Sequence, residues 1–580
     1  MRQARRPFRG IAVTLFCALF LVTGGTNLAQ PVVRTEQTVL DEAPPPLAEE
    51  GPAAGAFTEA WRTSLTLPES ARFALAGANV VTGTQDEVFA LDARTGELTW
   101  RYREPERRIG YWTATPDTVV VGSTGKAGKH ELNHLVGLDA ATGKLLWEKH
   151  DSWSIDPQDE SFGGAPILGG EATNNVIVVN EGESIKRGIE ATTGETLWSL
   201  SAGDLPDECT LRANDVWEFS GDQLIVTIAC PEADDSRSRY GAVAAESGKP
   251  LWFSDKGDGD FVAMRGGFGI RVGPNQSPVI LGRDGGELFT AAEAESRCPC
   301  AVVEGSEGTL LGYRSAADDG TSAVGRVVTI GPGGHAEPVA TLPGFRPFQL
   351  YTATNERLYS VSATRPDLSD EPYLPVAAPL LLTTITGNGD VEHSTLPTAI
   401  PGFTERKWFA AAGDQVFLAT LHNDGNDGGE TVVRSFSRTG DAAVPGGVDA
   451  VDAGTWPDAC TLLSGLPQSR PDQPPGEEVR VGDVTLPPTS CVGSAERPDV
   501  VNLDVVWVAS TEDEAAKLLT DIGAGKDTAF GADQEHDDGK GTVVLRAGSV
   551  IVTVTVEDIV GEAQREDILR DVVTNLRELG

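Results

Sequence analysis

The 580-residue chain carries 86 Asp and Glu against 46 Lys and Arg, a formal net charge of −40. A field that acidic argues against nucleic acid and anionic lipid surfaces as partners; it favours solubility, and cationic partners or divalent ions. Arg2, Arg5, Arg6 and Arg9 precede an apolar run from Ile11 to Thr23. This reads as an export signal or an uncleaved N-terminal membrane anchor over residues 1–29, with the basic flank kept cytoplasmic. Asn27-Leu28-Ala29 is a weak cleavage site, and Cys17 lies mid-run, away from any lipoprotein acylation position. The expected location is extracytoplasmic, at the cell membrane through a single anchor, or secreted if the segment is cleaved. Residues 30–57, with Pro44-Pro45-Pro46 and many Glu and Ala, have little to bury and read as a disordered tether.

A short phrase then recurs. Ala90-Leu91-Asp92-Ala93-Arg94-Thr95-Gly96-Glu97-Leu98-Thr99-Trp100 returns around Asp139, Gly143 and Trp147, again around Glu190, Gly194 and Trp198, and in worn form around Ala244, Gly248 and Trp252. The spacing is about fifty residues, the size of one four-stranded propeller blade. Each copy reads strand, tight turn, strand. Asp and Thr side chains can bond nearby backbone, Gly tolerates positive φ, and Trp on the outgoing strand is placed to pack against the next blade. Worn copies place further turns at Gly286, Gly334, Gly389 and Gly440. Eight turns predict an eight-bladed propeller over residues 58–450, with seven blades as the alternative. Ala60-Trp61-Arg62 matches the outgoing Trp strand without its own incoming strand. The Trp61 strand is therefore expected to complete the last blade and close the ring, leaving no open sheet edge.

The phrase resembles the repeat of PQQ-type β-propellers, the group that includes quinoprotein alcohol dehydrogenases and BamB-like outer-membrane assembly lipoproteins. That resemblance implies an eight-bladed scaffold, not a bound quinone. The enzyme branch implies adjacent cysteines under the quinone, calcium ligands and an Asp base. The nearest approach here is Cys298-Pro299-Cys300, with a residue between, and no residue set maps onto the quinone site. The non-catalytic branch is the expectation: no catalytic residue, no resident cofactor and no metal. A divergent PQQ-dependent oxidoreductase is the alternative, with PQQ or calcium as its cofactors.

Six cysteines lie outside the apolar run, an even number in an oxidising setting. Cys209 and Cys230 flank two short strands, near Val216–Phe219 and Leu224–Thr227, and are expected to pair. Cys460 and Cys491 bracket a Pro-rich loop and form the second expected pair. Cys298 and Cys300 bond each other or stay reduced. His130-Glu131-Leu132-Asn133-His134 matches the zinc-protease H-E-x-x-H, but that chemistry needs a helix. The match lies between strands, where the two histidines stand about 13 Å apart, too far for one ion. The acidic loops Asp255–Asp260 and Asn423–Asp427 could hold calcium but lack the EF-hand pattern.

Residues 451–580 read as a small α+β module. Val500–Val508 is a strand, Thr511 with Glu514 caps a helix stopped by Gly523, and Thr542–Val556 is a hairpin turning at Ala547-Gly548. A last helix, Glu562 to Leu579, puts Ile568, Leu569, Val572, Val573, Leu576 and Leu579 on one face. The opening around Cys460 and this ending resemble small exported lipoprotein and sensor modules of high-GC Gram-positive bacteria. Together these readings predict a mainly β, exported, membrane-anchored binding or scaffold protein. It would contact envelope partners through propeller loops and the channel mouth.

Overall fold

The computed structural model describes residues 35–579 apart from stretches between elements, the longest of them 155–174, 291–300, 365–376, 441–452 and 470–479. The N-terminal apolar run, His130, Cys298, Cys300, Gly334 and the loop 423–427 lie outside the described residues, as do Asp255 and Asp258. Among the described residues no helix is long and apolar enough to cross a membrane.

The repeat region is a β-propeller in which, among the described residues, eight antiparallel sheets follow one another in chain order. The first holds Phe73–Ala76, Asn79–Gly83, Glu87–Asp92 and Leu98–Arg103; the second runs from Arg107–Ala114 to Leu145–Lys149. Up-and-down order follows from the turns: each is too tight for anything but an antiparallel neighbour. The Asp-x-x-Thr-Gly turns all fall at one end of the strands. The links from one sheet to the next fall at the other.

The first six sheets show the same fault at the same place, between the outer strand and its neighbour, while the seventh keeps an unbroken register there. Ala90 faces Trp100 but Leu91 faces Leu98, so Thr99 is an extra residue on the outer strand. Leu146, Leu197 and Leu251 are the extra residues in the next three sheets. The bulge leaves the Trp paired in its own ladder, and its ring reaches the neighbouring sheet.

The ring closes through the N-terminal side of the propeller. The strand Ala56–Thr66 pairs along its whole length with Glu430–Gly440, so the Trp61 strand is the outer strand of the eighth sheet. Two expected turns are corrected here. Gly440 does not turn: it lies in the strand and faces Ala56, because the outgoing strand of this sheet is supplied from the other end of the chain. In the fifth sheet the residue with positive φ is Gly285, not Gly286.

The tether is also corrected. From residue 35 the chain is laid on the propeller. Glu36–Thr38 adds a fifth strand outside Leu98–Arg103. Leu40 N–H bonds the Thr142 carbonyl at 3.0 Å, and Gly413 N–H bonds that of Ala48 at 2.9 Å. Arg94 donates to Pro46 O, Arg357 to Gly51 O, and the Tyr359 hydroxyl to Pro52 O. Gly51 runs so close to Tyr359 that a Cβ would sit 2.4 Å from its hydroxyl oxygen. This strap crosses the strand ends that carry the Asp-x-x-Thr-Gly turns. A Pro-rich segment cannot donate many backbone bonds, but its carbonyls can accept, and side chains from four sheets supply the donors.

After the propeller come α1 (Ala459–Leu462), α2 (Glu512–Asp521) and α3 (Glu562–Leu579), with a six-stranded sheet that includes Val501–Val508, Thr542–Ala547 and Val550–Val556. Thr511 caps α2 by accepting from Glu514 N–H; the Glu514 carboxylate reaches back to Ser510 N–H rather than to Thr511. Ile568, Leu569, Val572, Val573 and Leu576 of α3 are buried on the sheet. The same apolar cluster takes in Ala377, Ala378, Leu381 and Ala399 from the seventh sheet and its exit. Module and propeller thus share one core.

Cys460 and Cys491 are disulfide-bonded, joining α1 to the strand Ser490–Gly493; Cys209 and Cys230 are bonded within the fourth sheet. Replacing Cys460 and Cys491 together by serine is expected to cost about 2–5 kcal/mol. Unfolding in urea followed by near-ultraviolet circular dichroism, where Trp456 and Trp507 report on this core, would read it.

Candidate functional site

The repeat phrase builds joints. Asp92 Oδ1 accepts from Arg94 N–H and Thr95 N–H at 2.7 and 2.9 Å, and Gly96 N–H closes on the Asp92 carbonyl at 2.8 Å. Asp139 does the same for Thr142 and Gly143. Gly96, Gly143, Gly194, Gly248 and Gly285 all have φ between 65° and 76°. Each bare Cα receives the indole of the preceding sheet: Trp61 on Gly96, Trp100 on Gly143, Trp147 on Gly194, Trp198 on Gly248, Trp252 on Gly285. Each indole N–H then donates to the carbonyl nearby, at 2.7–2.9 Å: to Ala93, Ala140, Ala191, Ala245 and Arg283 in turn. Glycine is needed twice over, for the positive φ and for the ring that lies on it. Asp92, Gly96, Trp100, Asp139, Gly143, Trp147, Gly194, Trp198, Gly248 and Trp252 are therefore brought together pairwise across five seams.

At the opposite end of the first seam the structure gathers four groups that the repeat does not predict. Glu104 follows the strand Leu98–Arg103. His134 lies on the strand Glu131–Asp139 and faces Ser123. Glu148 and His150 come from the outer strand Leu145–Lys149 and its exit, in register with Val136 and next to the Lys149–Leu135 pair. His134 is 0% exposed. Its Nδ1 lies 3.0 Å from Glu104 Oε1 and its Nε2 2.8 Å from Glu148 Oε1. His150 Nε2 lies 3.0 Å from the same Glu148 oxygen, and the two imidazoles stack with centroids 4.7 Å apart. Glu104 also accepts from the Tyr102 hydroxyl and Ser123 Oγ and pairs with Arg107.

Burial opposes charge on both central groups, and the contacts win. Burial pushes the His134 imidazolium down, but the bonds and charges of Glu104 and Glu148 carry its pKa above the ordinary value. Burial pushes Glu104 up, but the bonds from His134 and Ser123 hold it below the usual carboxylate range. His134 Nε2, His150 Nε2 and a Glu148 oxygen lie within 4.8 Å of one another, a set able to hold a metal ion. His130, the first histidine of the H-E-x-x-H match, lies outside the described residues; the second is His134. Glu104 and Glu148 come to it only through strand pairing and the seam, so no local spacing marks them.

A second polar cluster joins propeller and module. Asp521 on α2 accepts from Arg62 and from Lys517 at 3.2 Å, and from Thr398 Oγ1 at 3.1 Å. Lys517 also bonds Glu59 and the Pro397 carbonyl. Buried Arg434 stands beside Asp521, its charge helping to hold that carboxylate ionised.

Fold and joints define a repeat β-propeller, and over part of its length the repeat is similar to the PQQ type. Residues 54–204 match the family described as "Outer membrane protein assembly factor BamB". The "1-butanol dehydrogenase (quinone)" of Thauera butanivorans is 23% identical over 291 residues, 38% of this chain; the chain spans only 45% of that relative's length. Among solved structures, BamB from Moraxella catarrhalis is 13% identical over 66% of this chain and 98% of its own, with a TM-score of 0.36. Quinohemoprotein alcohol dehydrogenase from Comamonas testosteroni is 13% identical over 70% of this chain and 80% of its own, with a TM-score of 0.35.

Proposed function

We propose that this chain is an exported, membrane-anchored propeller that binds or scaffolds other proteins of the cell envelope and carries out no catalysis. The observation that carries this reading is a row of apolar side chains on the rim. Leu98, Leu145, Leu146, Leu197 and Leu251, at the starts of the outer strands in four successive sheets, are 44–50% exposed. Single exposed leucines are ordinary, but leucines recurring at or beside the same bulge in four successive sheets are the kind of feature that marks a protein contact. The polar groups of the repeat support the same reading. The acidic side chains are engaged in turns and the indole N–H groups in seams, so the repeat supplies rigidity rather than reactive groups. The basic, then apolar, N-terminus supports export and anchoring. Partners dock through the loops and the leucine-bearing rim.

The similarity to a quinone-linked dehydrogenase favours a second reading, a divergent PQQ-dependent oxidoreductase. One titration separates them. Purified protein with calcium and a tenfold excess of PQQ is expected to show no bound quinone absorbance after gel filtration. Retained quinone together with alcohol-dependent dye reduction would replace the scaffold reading by the enzyme. A photo-crosslinker at Leu197 in intact cells is expected to capture discrete envelope proteins, and the Leu197→Lys protein to lose association with them.

A further inference from the structure

The geometry points to a divalent transition-metal site of the zinc class at the first seam, held by His134 Nε2, His150 Nε2 and the Glu148 carboxylate. The argument starts at Glu104. Its Oε1 accepts from Tyr102 and its Oε2 from Ser123, with Arg107 Nε 2.9 Å from Oε2. Ringed by donors, it is a carboxylate that can only accept. It therefore takes the proton of His134 Nδ1, 3.0 Å from Oε1, and turns the His134 Nε2 lone pair toward the Glu148 oxygen 2.8 Å away. A lone pair facing a carboxylate at that distance needs a positive charge between them. A proton supplies it in the imidazolium form; a metal ion supplies it and also engages His150, whose Nε2 already lies 3.0 Å from the same oxygen.

The donor set is what zinc takes. Two imidazole nitrogens and one carboxylate, with water in the fourth position, make an open tetrahedral site at about 2.0–2.2 Å from each ligand. Ligands around such an ion stand about 3.4 Å apart: the Glu148 oxygen has to open by a few tenths of an ångström from the two nitrogens at 2.8 and 3.0 Å, and the imidazole nitrogens, within 4.8 Å of each other, have to settle to that spacing. Glu148 can give that much: its side chain is 40% exposed. Glu104 is the outer partner that sets the tautomer and aim of a ligand histidine, an arrangement found behind most metal-bound imidazoles. The ion would tie the outer strand of the second sheet to the seam with the first.

The test uses the full exported chain with Cys298 and Cys300 both replaced by serine, so that thiols do not compete. Zn²⁺ is titrated against a chromophoric chelator, and Co²⁺ is followed by its ligand-field absorbance. The expected result is one ion per chain with a tetrahedral Co²⁺ band. His150→Ala, at a half-exposed position, removes the band while leaving the circular dichroism unchanged. Glu104→Gln, a positioning change, weakens Zn²⁺ by about 10–100-fold while one-ion stoichiometry is kept. Failure of the parent chain to bind either ion overturns the site. So does equal affinity in the folded parent and in folded His150→Ala and Glu148→Gln. The quinone titration above is independent of both outcomes.

Discussion

Trp100→Ala is expected to cost about 3–5 kcal/mol of folding stability, the largest single loss along the repeat. Trp100 is 0% exposed, lies flat on Gly143 and donates to Ala140 O at 2.9 Å. Truncation leaves a cavity at the seam and removes one of the two bonds to the Ala140 carbonyl, which also accepts from Asn79 Nδ2 at 2.8 Å. Trp252, less deeply buried at the fourth seam, should cost clearly less. Gly143→Ala attacks the joint from the other side: it places a Cβ 2.6 Å from Trp100 Cγ at a φ of +72°. The double variant should therefore lose less than the sum of the two, because removing the ring relieves the contacts with Cγ and Cδ2, while the contact with the residue-100 Cβ and the positive φ remain. Equilibrium denaturation of the four proteins measures this. Strict additivity, or a Trp100→Ala loss below about 1 kcal/mol, would dismiss the joint as the source of rigidity.

Asp521→Ala is expected to cost a comparable amount, about 3–5 kcal/mol, since it removes a buried carboxylate that meets Arg62 and Lys517 at the module interface and helps balance buried Arg434, leaving that charge to Glu59 and Glu430. Burial raises the Asp521 pKa, but Lys517, Arg62 and Arg434 outweigh it and hold the group below its ordinary 3.8. With the folded pKa below the unfolded one, the native state binds fewer protons. The contribution is complete above about pH 4 and fades as the pH falls through the folded value. Wild type and Asp521→Asn should accordingly differ at pH 7 and converge as the pH falls below the folded value in urea melts. A difference that persists unchanged in acid would show that the cluster is not ionic.

The joints were legible because every part of them is local. Asp92, Thr95 and Gly96 form one turn, and a Trp four residues beyond the Gly meets the next copy at a fixed period. The same holds for the cap at Thr511 and the apolar face of α3, where side-chain spacing alone states the element. Closure by the Trp61 strand was readable from an outgoing strand without an incoming one. Between Gly285 and Gly286 the sequence offers two equal candidates, and the landing of Trp252 chooses Gly285. Gly440 reads as a turn by analogy, yet its strand continues because Ala56 waits opposite it.

The sequence by itself determined the repeat unit and its turn chemistry, where spacing along the chain is the relevant distance; it marked the closing strand by an outgoing strand with no incoming partner, and the two disulfides by cysteines that flank short segments. Tertiary structure alone decided the strap and the His134 cluster. Residues 35–55 bury little of their own and look like a tether, but Arg94, Arg357 and Tyr359 supply donors for carbonyls that the strap cannot satisfy internally. Glu104, His134, Glu148 and His150 are scattered along the chain. They meet only because strand register and the seam between two sheets set their side chains within hydrogen-bond reach, a distance that no spacing in the sequence encodes.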